Sequence, residues 1–120
     1  MTMRRRGAYN GQIIYHWLVQ MVRKDKARLI ARLSAATERD GECVIYKHSG
    51  GGTPKGYRRI SISTTLKVYA HHVFWTLANC RPIPDGMEID HICCRPSCIN
   101  PAHLRVLTPA ENTDRRNHGN

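Results

Sequence analysis

Two cysteines and a histidine stand at equal spacing within eleven residues of this chain, at Cys93, Cys98 and His103. Thiolates and imidazoles are usual zinc ligands, and a structural zinc site takes four ligands in a tetrahedron. The spacing therefore predicts a loop, between two strands, that is held by a metal ion with a fourth ligand from elsewhere. Four protein ligands leave no open position for a substrate, so the expected role of the ion is structural.

The spacing does not fix the fourth ligand, because the chain has five cysteines. Cys43, at the start of a predicted strand, is the first choice. Cys80 is the alternative, since the turn that follows it can bring it close to the loop. Cys94 would point away if its neighbour Cys93 binds the metal. No secretory signal is recognised, so we expect a cytoplasmic protein whose reduced thiols favour metal binding over disulfides.

The charge balance is strongly basic, with nineteen Lys and Arg against nine Asp and Glu and a formal net charge of +10. Such a surface attracts a polyanion, which can be DNA, RNA or an anionic membrane. No stretch reaches the roughly 18 apolar residues of a membrane span. Few exposed aromatic residues are predicted for base stacking, which counts against a single-stranded RNA partner.

Hydrophobic periodicity predicts an α+β architecture. Residues 1–10 are expected to form a basic arm, and 12–37 a basic helix that can split at the charged run 23–26. The later elements are predicted as a strand at 43–46, a loop at 49–54, a hairpin over 57–69, a helix at 70–79, strands at 87–91 and 104–107, and a helix at 109–117. Residues 1–41 are assigned to the arm and helix, and 42–120 to the functional domain.

The dipeptide Asp90-His91 ends a predicted strand, and Asn112 lies on the helix that follows the next strand. Phosphodiester hydrolysis needs a base for water, a cation at the phosphate and stabilisation of the leaving oxygen. His91 can act as the base, because neutral imidazole is available near pH 7. Asp90 and Asn112 offer the hard oxygen ligands that Mg²⁺ prefers. Arg58 or Arg59 can neutralise charge on the phosphate.

The run from Asp90 to Leu104, DHICCRPSCINPAHL, closely resembles the HNH endonuclease pattern DHxCxxxxCxNPxHL. The segment VLTPAEN at 106–112 resembles that family's helix start, with Thr108 and Glu111 placed as in a capping box. Shorter landmarks precede these in the family's order: GYRR at 56–59, AHH at 70–72 and IPDG at 83–86. The chain is similar to the zinc-loop branch of phage HNH nucleases and His-Cys box homing endonucleases.

The resemblance implies a ββα-metal (His-Me finger) core with a structural zinc loop, a β-hairpin and an added N-terminal helix. It maps the general base onto His91 and a catalytic Mg²⁺ or Mn²⁺ onto Asn112, with Asp90 as a second ligand. Arg59 matches the family arginine that contacts phosphate and is preferred to Arg58. The expected activity is cleavage of DNA to 5′-phosphate and 3′-hydroxyl ends.

The resemblance also assigns the structural Zn²⁺ to Cys93, Cys98 and His103, with Cys43 matching an upstream family cysteine. His103 stands where other HNH proteins have their central Asn. His91 must then be oriented by another group, such as a loop carbonyl.

The implied partner is double-stranded DNA, with the basic hairpin in its groove, as two-stranded ribbons fit the major groove. The candidate DNA-binding residues are Lys55, Arg58, Arg59, Lys67, Arg115 and Arg116. The resemblance implies a phage or mobile-element (homing) nuclease in a bacterial or phage-infected cell, and a homodimer would suit double-strand cleavage. The alternative is a non-catalytic, zinc-stabilised DNA-binding module. The N-terminal helix has no clear family counterpart and is a candidate specificity or dimerisation element.

Overall fold

The computed structural model of the chain describes residues 6–47 and 56–117. The helices in these ranges are α1 (Arg6–Ala35), α2 (Ala70–Asn79) and α3 (Pro109–Asn117). The strands are β1 (Thr37–Asp40), β2 (Cys43–Tyr46), β3 (Arg59–Ser61), β4 (Lys67–Tyr69), β5 (Glu88–His91) and β6 (Leu104–Leu107). A short 3₁₀ turn, Pro101–His103, precedes β6. None of the described helices is long and apolar enough to cross a bilayer.

The strands of the described ranges form three antiparallel pairs, β1 with β2, β3 with β4, and β5 with β6. In the last pair, Glu88 lies opposite Leu107 and His91 opposite Leu104. Helix α3 follows β6 and packs on both strands. This strand, strand, helix unit is the expected ββα core, and the loop between its strands carries Cys93 and Cys98. The predicted α+β, ββα-metal fold class is thereby confirmed.

Helix α1 begins earlier than predicted and is divided at its charged break. Residues 6–10, predicted as part of the arm, are helical, while residues 1–5 lie outside the described part of the chain. Asp25 leaves the helical conformation, with φ −166° and ψ 90°. Its Oδ1 accepts a hydrogen bond from the backbone N–H of Arg28 at 3.0 Å. Asp25 therefore caps a second helical segment, because it satisfies an amide that the broken helix leaves unpaired.

Strand β1 replaces the end of the predicted helix, so the prediction of helix as far as residue 37 is wrong. Its sequence, TERD, is polar and mostly exposed, and it lacks the alternation typical of a half-buried strand. The strand exists through its pairing with β2, in which Asp40 lies opposite Cys43. Gly41 turns the chain between them with a φ of +64°, a conformation that favours glycine. The proposed division between residues 41 and 42 falls in this turn.

Two hydrophobic clusters hold the elements together. The larger joins α1 to the two hairpins and α2, with buried residues that include Ile14, Leu29, Leu33, Tyr46, Ile60, Val68 and Val73. The smaller lies under β5 and β6 and comprises Trp75, Ile83, Ile89 and Leu104, packed with Val106. Helix α2 contributes to both clusters. Gly11 of α1 allows a close approach here, since a Cβ at this position would lie 2.7 Å from the carbonyl oxygen of Ile83.

A capping box sets the start of α3. The hydroxyl Oγ1 of Thr108 accepts from the backbone N–H of Glu111 at 3.1 Å, and Glu111 Oε1 accepts from the backbone N–H of Thr108 at 2.8 Å. The hydrogen bonds with Thr108 lower the pKa of Glu111. These reciprocal bonds satisfy two amides at the helix start and fix where Asn112 enters the first turns.

Candidate functional site

Four potential metal ligands meet at the base of the β5–β6 loop: Cys43, Cys93, Cys98 and His103. Their ligand atoms all lie within 4.8 Å of one another. We call this group the Cys3His cluster. Among the described residues, the two remaining cysteines, Cys80 and Cys94, are exposed and lie outside it.

The spacing of the donor atoms fits a tetrahedral metal site. Nδ1 of His103 lies 3.5 Å from Sγ of Cys98 and 3.7 Å from Sγ of Cys43. Metal bonds of about 2.3 Å to sulfur and about 2.0 Å to nitrogen, at the tetrahedral angle, separate such atoms by about 3.5 Å. Desolvation and the neighbouring thiols of Cys98 and Cys93 raise the pKa of Cys43 to about 12. A divalent cation supplies the charge that turns such thiols into thiolates.

Strand β2 carries Cys43 to the loop through backbone and side-chain bonds. The backbone N–H of Ile99 donates to the carbonyl of Val44 at 2.6 Å, and Asn100 Nδ2 donates to the carbonyl of Glu42 at 3.0 Å. An ion pair between Arg95 and Asp40, with N and O 2.6 Å apart, joins the neighbouring strand β1 to the loop. The β1–β2 hairpin is therefore fastened to the metal loop on both sides of Cys43.

His91 ends β5 beside the Cys3His cluster, with a side chain that is 7% exposed. Its Nε2 lies 3.0 Å from the backbone carbonyl oxygen of Cys98. A carbonyl oxygen only accepts, so Nε2 carries the proton and Nδ1 holds the basic lone pair. Burial lowers the pKa of His91, although the Cys98 hydrogen bond and Asp90 oppose the shift. The ring is therefore a neutral base near pH 7, oriented by a loop carbonyl.

A group of aromatic and imidazole rings packs against His91. The ring centre of His71 lies 4.4 Å from that of His91, and the ring of Tyr57 lies 5.9 Å from it. His72 and Tyr69 complete the group around His71. Nδ1 of His71 and Nδ1 of His72 are buried and have no hydrogen-bond partner within the described ranges. Burial lowers the pKa of both histidines, to about 4 for His72, which keeps them neutral.

Acidic and amide side chains gather on the other face of β5. Glu88 and Asp90 share a face because alternate residues of a strand point the same way, and His91 belongs to the opposite face. Asp90 is 7% exposed, and its Oδ2 accepts from Nε of Arg105, directly across the pair, at 3.0 Å. Nδ2 of Asn112 donates to Oε1 of Glu88 at 2.8 Å.

Sequence reasoning placed Asp90 and Asn112 at one site but missed Glu88 and Arg105. Two signals could have identified them once the predicted strands were paired. The strand register sets Arg105 opposite Asp90, and the two-residue spacing puts Glu88 on the same strand face as Asp90.

The two candidate phosphate arginines, Arg58 just before β3 and Arg59 at its first residue, have different environments. The backbone carbonyl of Arg58 accepts from the N–H of Ala70 at 2.8 Å, next to the Arg59–Tyr69 pair. Nε of Arg58 is buried without a hydrogen-bond partner in the described part of the chain. Arg59 lies opposite Tyr69, whose ring belongs to the group around His71. Arg59 is thus the arginine on the strand face that turns toward His91.

The remaining predicted DNA-binding residues are spread more widely. Lys67 is exposed on β4, whereas Lys55 lies outside the described residues, as does the loop predicted at 49–54. Arg115 and Arg116 lie in α3, with side chains outside the described part. The β3–β4 hairpin has three residues in each strand, and Ile62 and Leu66 near its turn pack against the core. The residues next to the turn are therefore held against the core, so the hairpin can contact DNA with one face but not with a projecting tip. Its insertion into a DNA groove stays a prediction.

A family model described as HNH endonuclease matches residues 68–114. The matched segment runs from β4 into α3 and contains His91, Asn112 and three members of the Cys3His cluster. Cys43 and Arg59 lie upstream of it.

Curated relatives come from two bacteriophages. Protein 7.7 of Escherichia phage T7 is 33% identical over 61% of this chain and 53% of its own length. Protein 2.8 of the same phage is 40% identical over 62% of this chain and 50% of its own length. The uncharacterized gene 5.3 protein of Enterobacteria phage T3 is 34% identical over 62% of this chain and 74% of its length. The chain thus spans about half the length of the two T7 proteins. No solved structure gives a significant match.

Proposed function

Because the chain belongs to the HNH endonuclease family, we propose that it is a divalent-metal-dependent endonuclease that hydrolyses phosphodiester bonds in double-stranded DNA. The observation that carries the proposal is the hydrogen bond between His91 Nε2 and the Cys98 carbonyl. It leaves Nδ1 as a base on a ring held in one orientation.

In the proposed reaction, Nδ1 of His91 removes a proton from a water molecule as its oxygen attacks phosphorus. The new bond joins the water oxygen to phosphorus, and the bond between phosphorus and the 3′ oxygen breaks. That oxygen takes a proton from solvent, which gives 3′-hydroxyl and 5′-phosphate ends. Arg59, on the strand face toward His91, neutralises charge on the phosphate. His71 and Tyr57 limit the rotation of the His91 ring by packing against it.

Asp90 and Asn112 are the proposed holders of Mg²⁺ or Mn²⁺, because carboxylate and carboxamide oxygens are their preferred protein ligands. Asp90 faces away from His91 along β5, so the proposal requires the scissile phosphate to lie at the end of this strand, where it can contact both the ion and His91. With Nδ2 of Asn112 donating to Glu88, its Oδ1 is left as the acceptor that can face a cation. When bound, the ion supplies positive charge at the phosphate and the leaving oxygen. Arg105 holds the Asp90 carboxylate and limits its rotation.

The Cys3His cluster is proposed as a structural zinc site. Its four protein ligands complete a tetrahedron, and soft thiolates with one imidazole favour Zn²⁺ over Mg²⁺. The remaining DNA contacts are proposed for Lys55, Arg58, Lys67, Arg115 and Arg116. The phage relatives support an infected bacterial cell as the setting of the proposed activity. We also propose a homing role and a homodimer that cuts both strands.

Plasmid cleavage tests the proposal. Wild-type protein with Mg²⁺ or Mn²⁺ should convert supercoiled plasmid to nicked or linear product, and chelation of the added ion should stop the reaction. His91→Ala should lower the rate by about 10²- to 10⁴-fold, the usual contribution of a positioned base, and leave DNA binding intact. His16→Ala, at an exposed histidine of α1, is the matched control. DNA binding without cleavage by the wild type would instead support the non-catalytic, zinc-stabilised binding module.

A further inference from the structure

The kink of α1 opens a cavity of about 330 Å³ that belongs to neither the Cys3His cluster nor the ββα core. Met21, Lys24, Asp25, Arg28, Leu29 and Arg32 line it, and we call it the kink cavity. Leu29 is 1% exposed and belongs to the main hydrophobic cluster. The helical segment that carries Arg28 and Arg32 is therefore anchored in the core, which holds the backbone around the cavity in place.

The kink cavity has a net positive charge that is not neutralised by the protein around it. Lys24, Arg28 and Arg32 are exposed, and within the described ranges no carboxylate forms an ion pair with any of them. The cavity's one carboxylate, Asp25, accepts the backbone N–H of Arg28 as a helix cap. Three cations therefore face a shared concave space with a single, already engaged acid.

The kink cavity adjoins the strand that carries the proposed phosphate contact. Nη2 of Arg32 donates to the backbone carbonyl of Ser61 at 3.3 Å, and Ser61 lies in β3 two residues after Arg59. Arg28 and Arg32 are one helical turn apart, which is about 6 Å along the axis. Alternate phosphates of one DNA strand lie about 7 Å apart along the duplex. The two arginines thus have a spacing that can engage two phosphates of the same strand.

We propose that the kink cavity binds the phosphate backbone of duplex DNA beside the cleaved bond, through Lys24, Arg28 and Arg32. The identity of the polyanion rests on the proposed function. The surface lies outside residues 68–114, the segment matched by the family model, so it is a contact that this chain adds to the nuclease core. Contacts to phosphate carry no base information, and the cavity therefore contributes affinity and orientation for any sequence.

The experiment measures the salt dependence of binding to a fluorescent duplex of random sequence, without Mg²⁺. The full chain is compared with the triple variant Lys24→Gln, Arg28→Gln, Arg32→Gln. The slope of log affinity against log salt is negative, and each lost phosphate contact reduces its magnitude by about 0.9, so a reduction of about two to three is expected. The loss of affinity should be the same for several unrelated sequences. Melting followed by circular dichroism verifies that the variants fold.

A second triple variant, Arg23→Gln, Lys26→Gln and Arg39→Gln, removes the same net charge at exposed positions that do not line the kink cavity. Its salt slope should stay within about 0.5 of the wild type. An unchanged slope in the cavity variant, or an equal reduction in both, overturns the proposal, as does a preference for single-stranded RNA competitor over duplex. If the wild type binds duplex with the expected dependence on the kink cavity but never cuts plasmid, the proposed hydrolysis is contradicted and the proposed DNA-binding surface is supported.

Discussion

The carbonyl oxygen of Cys98 accepts a hydrogen bond from Nε2 of His91 at 3.0 Å, while the sulfur of the same residue belongs to the Cys3His cluster. One residue therefore connects the proposed base to the proposed zinc site. The orientation of the imidazole depends on where the loop holds this carbonyl, and the loop position depends on the cluster. Loss of the structural metal should thus disable catalysis even though that metal takes no part in the chemistry.

Cys43→Ser tests this dependence, because Cys43 is a cluster member without a described contact to His91. We expect loss of bound zinc, a lower melting temperature and a cleavage rate at least about tenfold lower, which added Mg²⁺ does not restore. Elemental analysis, thermal melting and plasmid cleavage measure the three effects. Cys80→Ser, at an exposed cysteine outside the cluster, is the control. Full activity in a zinc-free Cys43→Ser protein would contradict the connection.

Arg59→Gln should lower the single-turnover cleavage rate far more than Arg58→Gln does. Arg59 lies opposite Tyr69 on the face toward His91, whereas Nε of Arg58 is buried without a hydrogen-bond partner in the described part of the chain. Removal of one charge-stabilising donor at a phosphate costs about 10²- to 10³-fold in rate. Arg58→Gln should lower DNA affinity and thermal stability more than the cleavage rate of the bound complex. Equal rate losses in the two variants would show that the different environments of the two arginines do not separate their roles.

The stability of the protein should fall as the pH is lowered from about 6.5 to about 4. His72 is neutral in the folded state, because burial and the nearby His91 lower its pKa to about 4, and an unfolded histidine titrates near 6.5. Between these values the unfolded chain binds a proton that folded His72 does not, so the stability present above pH 7 is lost. The loss attributable to His72 is at most about 3 kcal/mol.

Urea unfolding at pH 7.5, 6 and 5 measures this effect. His72→Gln should show a shallower dependence on pH than the wild type, since Gln does not titrate. Both proteins keep the Cys3His cluster, so acid release of a metal contributes equally to each and cancels in the difference. His16→Gln, on the exposed side of α1, should follow the wild type. Parallel curves for wild type and His72→Gln would exclude a buried neutral His72.

Local signals in the sequence account for the elements that were predicted correctly. Helices α2 and α3 and strand β6 have the predicted bounds, because apolar periodicity, a capping box and flanking prolines all act within a few residues. The split in α1 follows from its charged break, although the cap by Asp25 is visible only in the structure. Strand β1 was missed since its polar residues owe their conformation to pairing with β2.

The candidate site likewise contains residues that local sequence signals identify and contacts that only the folded chain shows. His91, Cys93, Cys98 and His103 were identified because they lie within thirteen residues of one motif. Contacts that depend on packing of distant segments could not be read from the motif. The pairing of Glu88 with Asn112 requires the position of α3 on β5, and the ring contact between His71 and His91 requires the start of α2 to lie near the end of that strand.

Glu88→Gln should raise the Mg²⁺ concentration needed for half-maximal cleavage by about tenfold. Oε1 of Glu88 accepts from Nδ2 of Asn112, which holds the amide with Oδ1 available, and its charge lies on the same strand face as Asp90. The substitution removes the charge but retains a hydrogen-bonding oxygen, so the rate at saturating Mg²⁺ should change less than the metal dependence. Asp85→Asn removes an exposed carboxylate outside the core and controls for net charge. Wild-type metal dependence in Glu88→Gln would contradict a role in metal binding and would show that Glu88 only helps to hold α3 against β5.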